Sequence, residues 1–203
     1  MSTSQPTDRT LYFAYGSNLS LQQMATRCPE SRFLGVAILP HHRWQINSRG
    51  YANVINVTHT ADSARHAPAV EGLCYLLSAS DEAELDRNEG VSIGAYEKAE
   101  LQVELCCAPV GLVGRDVVRI VADGSLGRVV SVSGGREREG QRRGRGEVTT
   151  ALVYLSTVFI EDGSPREEYV RRISAGVADA LVLGVSRKFV TAVIEPYLRT
   201  SAD

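Results

Sequence analysis

Up to Val158 the apolar residues of this chain fall in short alternating or β-branched runs, interrupted by two helical stretches; beyond Pro165 they recur every three to four residues. Alternation sends side chains to the two faces of a strand, whereas a three-to-four spacing lines one face of a helix. Strands are expected over residues 11–15, 33–39, 43–47, 52–57, 70–77, 96–107, 116–122 and 149–158, the last rich in β-branched residues and therefore central. Runs this short cannot bury an apolar face alone, so they must pair with one another and be covered by the helices. The pattern predicts an α+β domain in which a curved or barrel-like sheet is flanked by a few helices.

The helix boundaries carry their own signals. Residues 20–27 follow the first turn and form the first expected helix. Ser78 with Asp81 three positions later makes a capping box, and Asp81 and Glu82 suit the positive end of a helix that runs to about Asn88 and stops near Gly90. In Ser164-Pro165-Arg166-Glu167 a cap residue precedes a proline at the first helical position, with a glutamate three residues after the cap. Tyr169, Ile173, Val177 and Leu181 then share one face, and Ser186 caps a last helix bearing Phe189, Val190, Val193 and Tyr197.

A chain of 203 residues that is 43% hydrophobic and 23% charged has the apolar content to fold, and its length fits one domain. We assign residues 1–10 to a flexible polar tail and 11–198 to the domain, with a Gly/Arg-rich insertion at about 131–147. In that insertion Gly134, Gly135, Gly140, Gly144 and Gly146 alternate with Arg136, Arg138, Arg142, Arg143 and Arg145. No core can form there. Glu137, Glu139 and Glu147 dilute the charge and no aromatic side chain is present to stack on a base, so a solvated loop is favoured over an RNA-contacting element. A second polar loop is expected over residues 59–68.

A formal net charge of −2 gives no electrostatic reason to expect nucleic acid or an anionic membrane as partner. The polar N-terminal residues are no secretory signal, and no run reaches membrane-spanning length, which places the chain in the cytoplasm. Cys28, Cys74, Cys106 and Cys107 have no metal-ligand spacing and are expected as reduced thiols. His41, His42, His59 and His66 lack ligand spacing too, and no metal is expected.

Two segments carry chemistry. The run Leu11-Tyr12-Phe13-Ala14-Tyr15 ends in Gly16-Ser17-Asn18 just before a helix. A strand-to-helix turn leaves backbone N–H groups without intrahelical partners, and such donors bind carboxylates. Gly16 permits close approach of a ligand, while Ser17 and Asn18 orient the turn or touch the ligand. Glu89, followed by Gly90 and Val91, lies at the negative end of the second helix, where its pKa rises above the usual carboxyl range of about 4.3. A raised pKa makes it a better proton acceptor, although from this segment alone an exposed surface glutamate is the favoured reading.

Taken together, Tyr12-Phe13-Ala14-Tyr15-Gly16-Ser17-Asn18-Leu19, Val70-Glu71-Gly72-Leu73-Cys74-Tyr75 and Leu85-Asp86-Arg87-Asn88-Glu89-Gly90-Val91 with Tyr96 resemble the gamma-glutamyl cyclotransferase family, which includes the AIG2-like proteins. The stretch Asn47-Ser48-Arg49-Gly50-Tyr51-Ala52-Asn53-Val54-Ile55 and the segment 165–189 extend the resemblance to about residues 11–197. The resemblance implies a small mixed β-barrel with flanking helices and a cofactor-independent reaction on a gamma-glutamyl compound. In that reaction the substrate's own α-amine attacks its γ-carbonyl and 5-oxoproline is released. It also implies Glu89 as the proton shuttle, with Tyr15, Gly16, Ser17, Asn18 and Leu19 of the turn and Tyr154 of the last strand as substrate-binding residues. The insertion before Tyr154 and the presence of Tyr51 and Asn53 beside Gly50 depart from the family pattern. The expected partner is a small-molecule substrate, with a homodimer left open. Two other uses of these residues also remain: the same pocket serving a different ring closure or isomerisation in specialised metabolism, and a non-catalytic module for a small molecule or protein.

Overall fold

The structure is a computed structural model, and it describes residues 9–57, 68–106, 108–109, 111–124, 126–127 and 146–198. The expected 59–68 loop falls outside these residues except for Pro68, and so does almost all of the Gly/Arg-rich insertion. Seven strands are described: β1 (Thr10–Ala14), β2 (Arg32–Pro40), β3 (His42–Ile46), β4 (Ala52–Asn56), β5 (Ala69–Leu77), β6 (Glu97–Leu105) and β7 (Glu147–Leu155). Between them lie α1 (Leu21–Arg27), α2 (Ala79–Asn88) and α3 (Val117–Ala122), and α4 (Glu167–Leu183) follows. A final helix is α-helical over Arg187–Phe189, opens into a π turn at Val190–Ile194 and returns to α over Glu195–Leu198. Among the described residues no helix is long and apolar enough to cross a membrane.

Five strands close into a barrel in the order β1-β5-β2-β6-β7. The β5 strand pairs antiparallel with β1, from Thr10↔Leu77 to Ala14↔Leu73, and with β2 on its other side. The β2–β6 contact is short, Ala37↔Leu105 and Ile38↔Glu104, and β6 then runs beside β7 for its whole length. The ring is completed by a parallel contact of β7 with β1 at Tyr12↔Leu152. Outside the barrel β3 and β4 form a separate hairpin, His42↔Asn56 to Ile46↔Ala52. Closure removes the unpaired edges that an open sheet presents.

The burial pattern explains the arrangement. In β5 the consecutive Leu73, Cys74 and Tyr75 are fully buried because both faces are covered, whereas β6 turns charged residues to solvent between its inward positions. Phe13, Phe33, Leu73, Tyr75, Val103 and Val153 fill the interior. On α4 the buried stripe is Tyr169, Ile173, Gly176, Val177, Ala180 and Leu183, with Leu181 only half-buried. Gly176 lets this helix come within van der Waals reach of Leu19 and Ser20. Cys28 and Cys74 are buried free thiols, each pushed up to about 12 by burial.

Two boundaries differ from expectation. Residues 116–122 are helical, not a strand: α3 buries Val117 and Ile120, three apart, and packs beside α1. Its β-branched residues favour a strand locally, but the helical spacing of the two that face the core decides. The long helix begins after Arg166, and neither Ser164 nor Pro165 caps it. Instead this segment lies along the β3–β4 hairpin, with Gly163 N–H on the Ile46 carbonyl at 2.8 Å and Arg166 N–H on that of Gly50 at 3.2 Å. Those tertiary hydrogen bonds hold residues 163–166 extended and delay helix entry. The capping box of α2, by contrast, forms as expected, and Ser186 accepts from the Phe189 N–H.

Candidate active site

At the end of β1 the backbone passes through Tyr15 and Gly16 into a 3-10 turn, Ser17–Leu19, and then α1. Tyr15 is fixed on both sides of the hairpin-barrel junction. Its hydroxyl donates to the Tyr154 carbonyl at 2.5 Å, and its own carbonyl accepts from the Trp44 indole at 2.9 Å. In the turn, Leu19 N–H bonds back to the Gly16 carbonyl (3.0 Å) and Ser20 N–H to that of Ser17 (3.1 Å). Neither Ser17 N–H nor Asn18 N–H bonds a backbone carbonyl, as expected for the first residues of a helical turn, and the Ser17 N–H acts on the Tyr169 hydroxyl. Leu19 itself is buried in the core against α4, away from the pocket. At Gly16 a Cβ would stand 2.8 Å from the Tyr169 hydroxyl.

Glu89 is the C-cap residue immediately after α2. Its N–H completes the helix on the Leu85 carbonyl at 2.8 Å, and Gly90 then turns the chain away in the left-handed conformation (φ 66°). That exit directs the Glu89 carboxyl into a cavity of about 300 Å³ whose walls include Tyr15, Gly16, Ser17, Asn18, Arg49, Tyr96, Tyr154 and Arg172. The residue is half-buried overall, with the carboxyl as its enclosed part.

Asn18 binds that carboxyl. Its Oδ1 accepts from Gln23 Nε2 (2.7 Å) and Arg27 (3.0 Å), both pure donors, so its amide nitrogen must face the other way. There Nδ2 donates to Glu89 Oε1 at 3.3 Å and to the Tyr12 hydroxyl at 2.9 Å. Loss of hydration pushes the Glu89 pKa above the usual carboxyl range. Arg27, the Asn18 amide and Arg172 favour the ionised form and do not cancel the desolvation. Burial also raises the pKa values of Tyr12, Tyr15, Tyr96, Tyr154 and Tyr169, so these phenols stay protonated and act as hydrogen-bonding groups, not bases.

The matching family model is described as gamma-glutamyl cyclotransferase, AIG2-like, and it spans residues 12–115. The chain belongs to this family. That span takes in the turn, the β3–β4 hairpin and Glu89. Solved structures extend the likeness to the fold as a whole. A gamma-glutamyl cyclotransferase superposes with a TM-score of 0.60 at 22% identity, covering 91% of this chain and 86% of its own. An uncharacterized protein from Homo sapiens gives 0.60 at 22% identity, with 91% and 85% covered. YkqA from Bacillus subtilis gives 0.59 at 18%, covering 95% of this chain and 55% of its own. A search of curated proteins gives no match to the chain.

For this family member the structure brings Glu89, Tyr15, Gly16, Ser17, Asn18 and Tyr154 to one cavity and leaves Leu19 in the core. The Tyr154 hydroxyl is engaged with Asp86 Oδ1 at 2.7 Å, and its ring meets Tyr12 edge-to-face at 5.8 Å. Several wall residues were not anticipated. Arg27, Arg49 and Arg172 come from α1, the β3–β4 turn and α4, and Tyr96 and Tyr169 flank them. Tyr169 and Arg172, three apart on one helix, carried the only available signal: an aromatic hydroxyl on an apolar stripe needs a polar neighbour.

Proposed function

We propose that the protein is a cofactor-independent cyclotransferase that releases 5-oxoproline from a gamma-glutamyl amino acid or amide. The observation that carries this is the desolvated Glu89 carboxyl, hydrogen-bonded by Asn18 in the same cavity as the Gly16–Asn18 turn. A free α-ammonium has a pKa of about 7.7–8.0, and a carboxyl shifted upward is closer to it and a better acceptor for its proton.

In the proposed reaction the substrate folds so that its α-nitrogen faces both Glu89 and its own γ-carbonyl. Glu89 takes a proton from the ammonium, the freed amine attacks, and a five-membered ring closes. The developing oxyanion lies against the N–H donors of the turn. Glu89 then gives its proton to the leaving nitrogen as the carbon–nitrogen bond breaks. Two protons leave the ring nitrogen in all and two arrive at the leaving one, the second by way of solvent, so the products are a lactam and an ammonium. Much of the acceleration comes from holding amine and carbonyl in contact, for which well-oriented intramolecular reactions gain about 7–11 kcal/mol. Tyr154 would touch the substrate from β7.

The test is to incubate the protein with a panel of gamma-glutamyl amino acids and amides and measure 5-oxoproline. Activity that Glu89→Gln abolishes, with the circular dichroism spectrum intact, supports the assignment. An absence of product across the panel would refute it.

A further inference from the structure

Beyond Glu89 the chain makes a tight turn that brings one more side chain to the cavity. Gly90 and Gly94 both lie in the left-handed region (φ 66° and 67°), and the three residues between them form a 3-10 turn. Three hydrogen bonds fix its backbone: Ile93 N–H and Ala95 N–H on the Gly90 carbonyl, at 3.2 and 3.0 Å, and Gly94 N–H on that of Val91 at 3.1 Å. The Ile93 side chain folds back over Gly90, with Cγ1 and Cδ1 at 3.3 and 3.4 Å from where a Gly90 Cβ would stand. Ile93 thus packs on the residue next to Glu89 and lines the same cavity, yet it is 80% exposed.

Exposed residues that line a cavity mark its rim, and among the described residues these are Arg87, Asn88 and Ile93. The two polar ones are turned back onto their own helix. Arg87 Nε donates to the Glu84 carboxylate at 3.1 Å, and Asn88 Nδ2 to the Glu84 carbonyl at 2.8 Å. What this part of the rim offers to a ligand is the apolar surface of Ile93. An isolated exposed isoleucine is ordinary on a protein surface, but one held at the rim of a cavity gains from any apolar group that covers it. The amine of a gamma-glutamyl substrate must meet the enclosed Glu89 carboxyl and close a ring onto the γ-carbonyl, so the gamma-glutamyl part occupies the interior. The bond that breaks points out of that ring. The side chain of the leaving amine is therefore the part that extends to the rim.

We propose that Ile93 is a specificity-determining residue that packs on the side chain of the leaving amine and so selects gamma-glutamyl compounds in which that side chain is apolar. This rests on the cyclotransferase assignment above for the identity of the substrate, but the contact itself is a binding claim. The experiment therefore has two arms. Gamma-glutamylleucine and gamma-glutamylglycine carry the same charges and the same gamma-glutamyl part, and they differ only in the leaving side chain. Their equilibrium binding is measured by calorimetry on Glu89→Gln protein, which holds substrate without turning it over. Their turnover to 5-oxoproline is measured on the unaltered protein.

Burying one methylene is worth a factor of about four, so covering part of the leucine side chain should favour the leucine compound by about tenfold, both in binding and in kcat/KM. Ile93→Ser is expected to shrink that ratio to about threefold or less, and Ile93→Leu to keep it. At so exposed a position both variants should fold, and the ratio measured without them needs neither. A ratio near one, a preference for the glycine compound, no binding of either, or a tenfold ratio that survives Ile93→Ser overturns the contact. Equal turnover of the two compounds would overturn it while keeping the cyclotransferase assignment. A tenfold binding ratio lost in Ile93→Ser with no 5-oxoproline from either compound would keep the contact and refute that assignment.

Discussion

An alanine at position 16 would place its Cβ 2.8 Å from the Tyr169 hydroxyl oxygen and 3.2 Å from the Ala52 Cβ, where ordinary contact begins at 3.4 Å. Tyr169 has nowhere to retreat: it is 4% exposed and its ring is held edge-on by Tyr51 at 5.2 Å. The turn must therefore give way. Overpacking of this kind costs about 1–3 kcal/mol, which for a domain of this size lowers Tm by roughly 2–12 °C. The same collision moves the turn by about 0.6 Å relative to Glu89, and since a misplacement of about 1 Å costs on the order of 10²-fold in rate, kcat/KM should fall about tenfold. Thermal melting and 5-oxoproline release measure the two effects. The colliding atom is an oxygen, so Tyr169→Phe in the same protein should restore stability: the double variant is expected to be more stable than the sum of the singles by at least about 1 kcal/mol. A Gly16→Ala protein with unchanged Tm and kcat/KM, or strictly additive singles, would refute the claim that this close approach sets the turn.

Three further outcomes are expected. Glu89→Gln should lower kcat by about 10²–10⁴-fold while raising Tm at neutral pH. The sign follows from the upward shift: ionising Glu89 destabilises the fold above the ordinary carboxyl pKa, so the gain in Tm should fade as pH falls toward about 4.3, and a constant gain would contradict it. Asn18→Ala removes a hydrogen bond to the ionised form of Glu89 and an acceptor shared by Arg27 and Gln23, the latter keeping Ser17 Oγ. The acid limb of the kcat/KM profile should move to higher pH, and a limb that stays put would exclude Asn18 as a partner of the base. Tyr154→Phe takes the donor from Asp86 Oδ1, which leaves Asp86 paired with Lys98, and should cost about 1 kcal/mol in stability; KM rises if the hydroxyl also reaches substrate, and an unchanged KM removes Tyr154 from the binding set.

What could be read from the residues alone divides along physical lines. Features set by neighbours in the chain were legible: the Ser78–Asp81 capping box, the end of α2 at Gly90 and the start of α1 after Ser20 all depend on contacts within one turn. Where distant segments compete, local signals failed. Residues 163–166 are held by the hairpin, and α3 is decided by which of its β-branched side chains face α1. Glu89 and the Gly16–Asn18 turn could be paired only through the order of motifs. Beyond the three-residue spacing of Tyr169 and Arg172 on one helix, nothing in the residue order announces that they and Arg49, from a hairpin tip, complete the walls around them.

The parallel contact between β1 and β7 joins Tyr12 to Leu152, residues far apart in the sequence. A ribosome releases β1 long before β7, so until then the nascent sheet has free edges on β1 and β6. Contacts this distant in sequence make folding slow. Tyr154, Tyr169 and Arg172 arrive in the same late portion, beyond the span that the family model covers. The cavity is therefore incomplete in any nascent chain shorter than β7 and α4. Glu89 gains its enclosed surroundings only once α4 has been made, and the partly made protein is most exposed to edge-to-edge association in the interval before it.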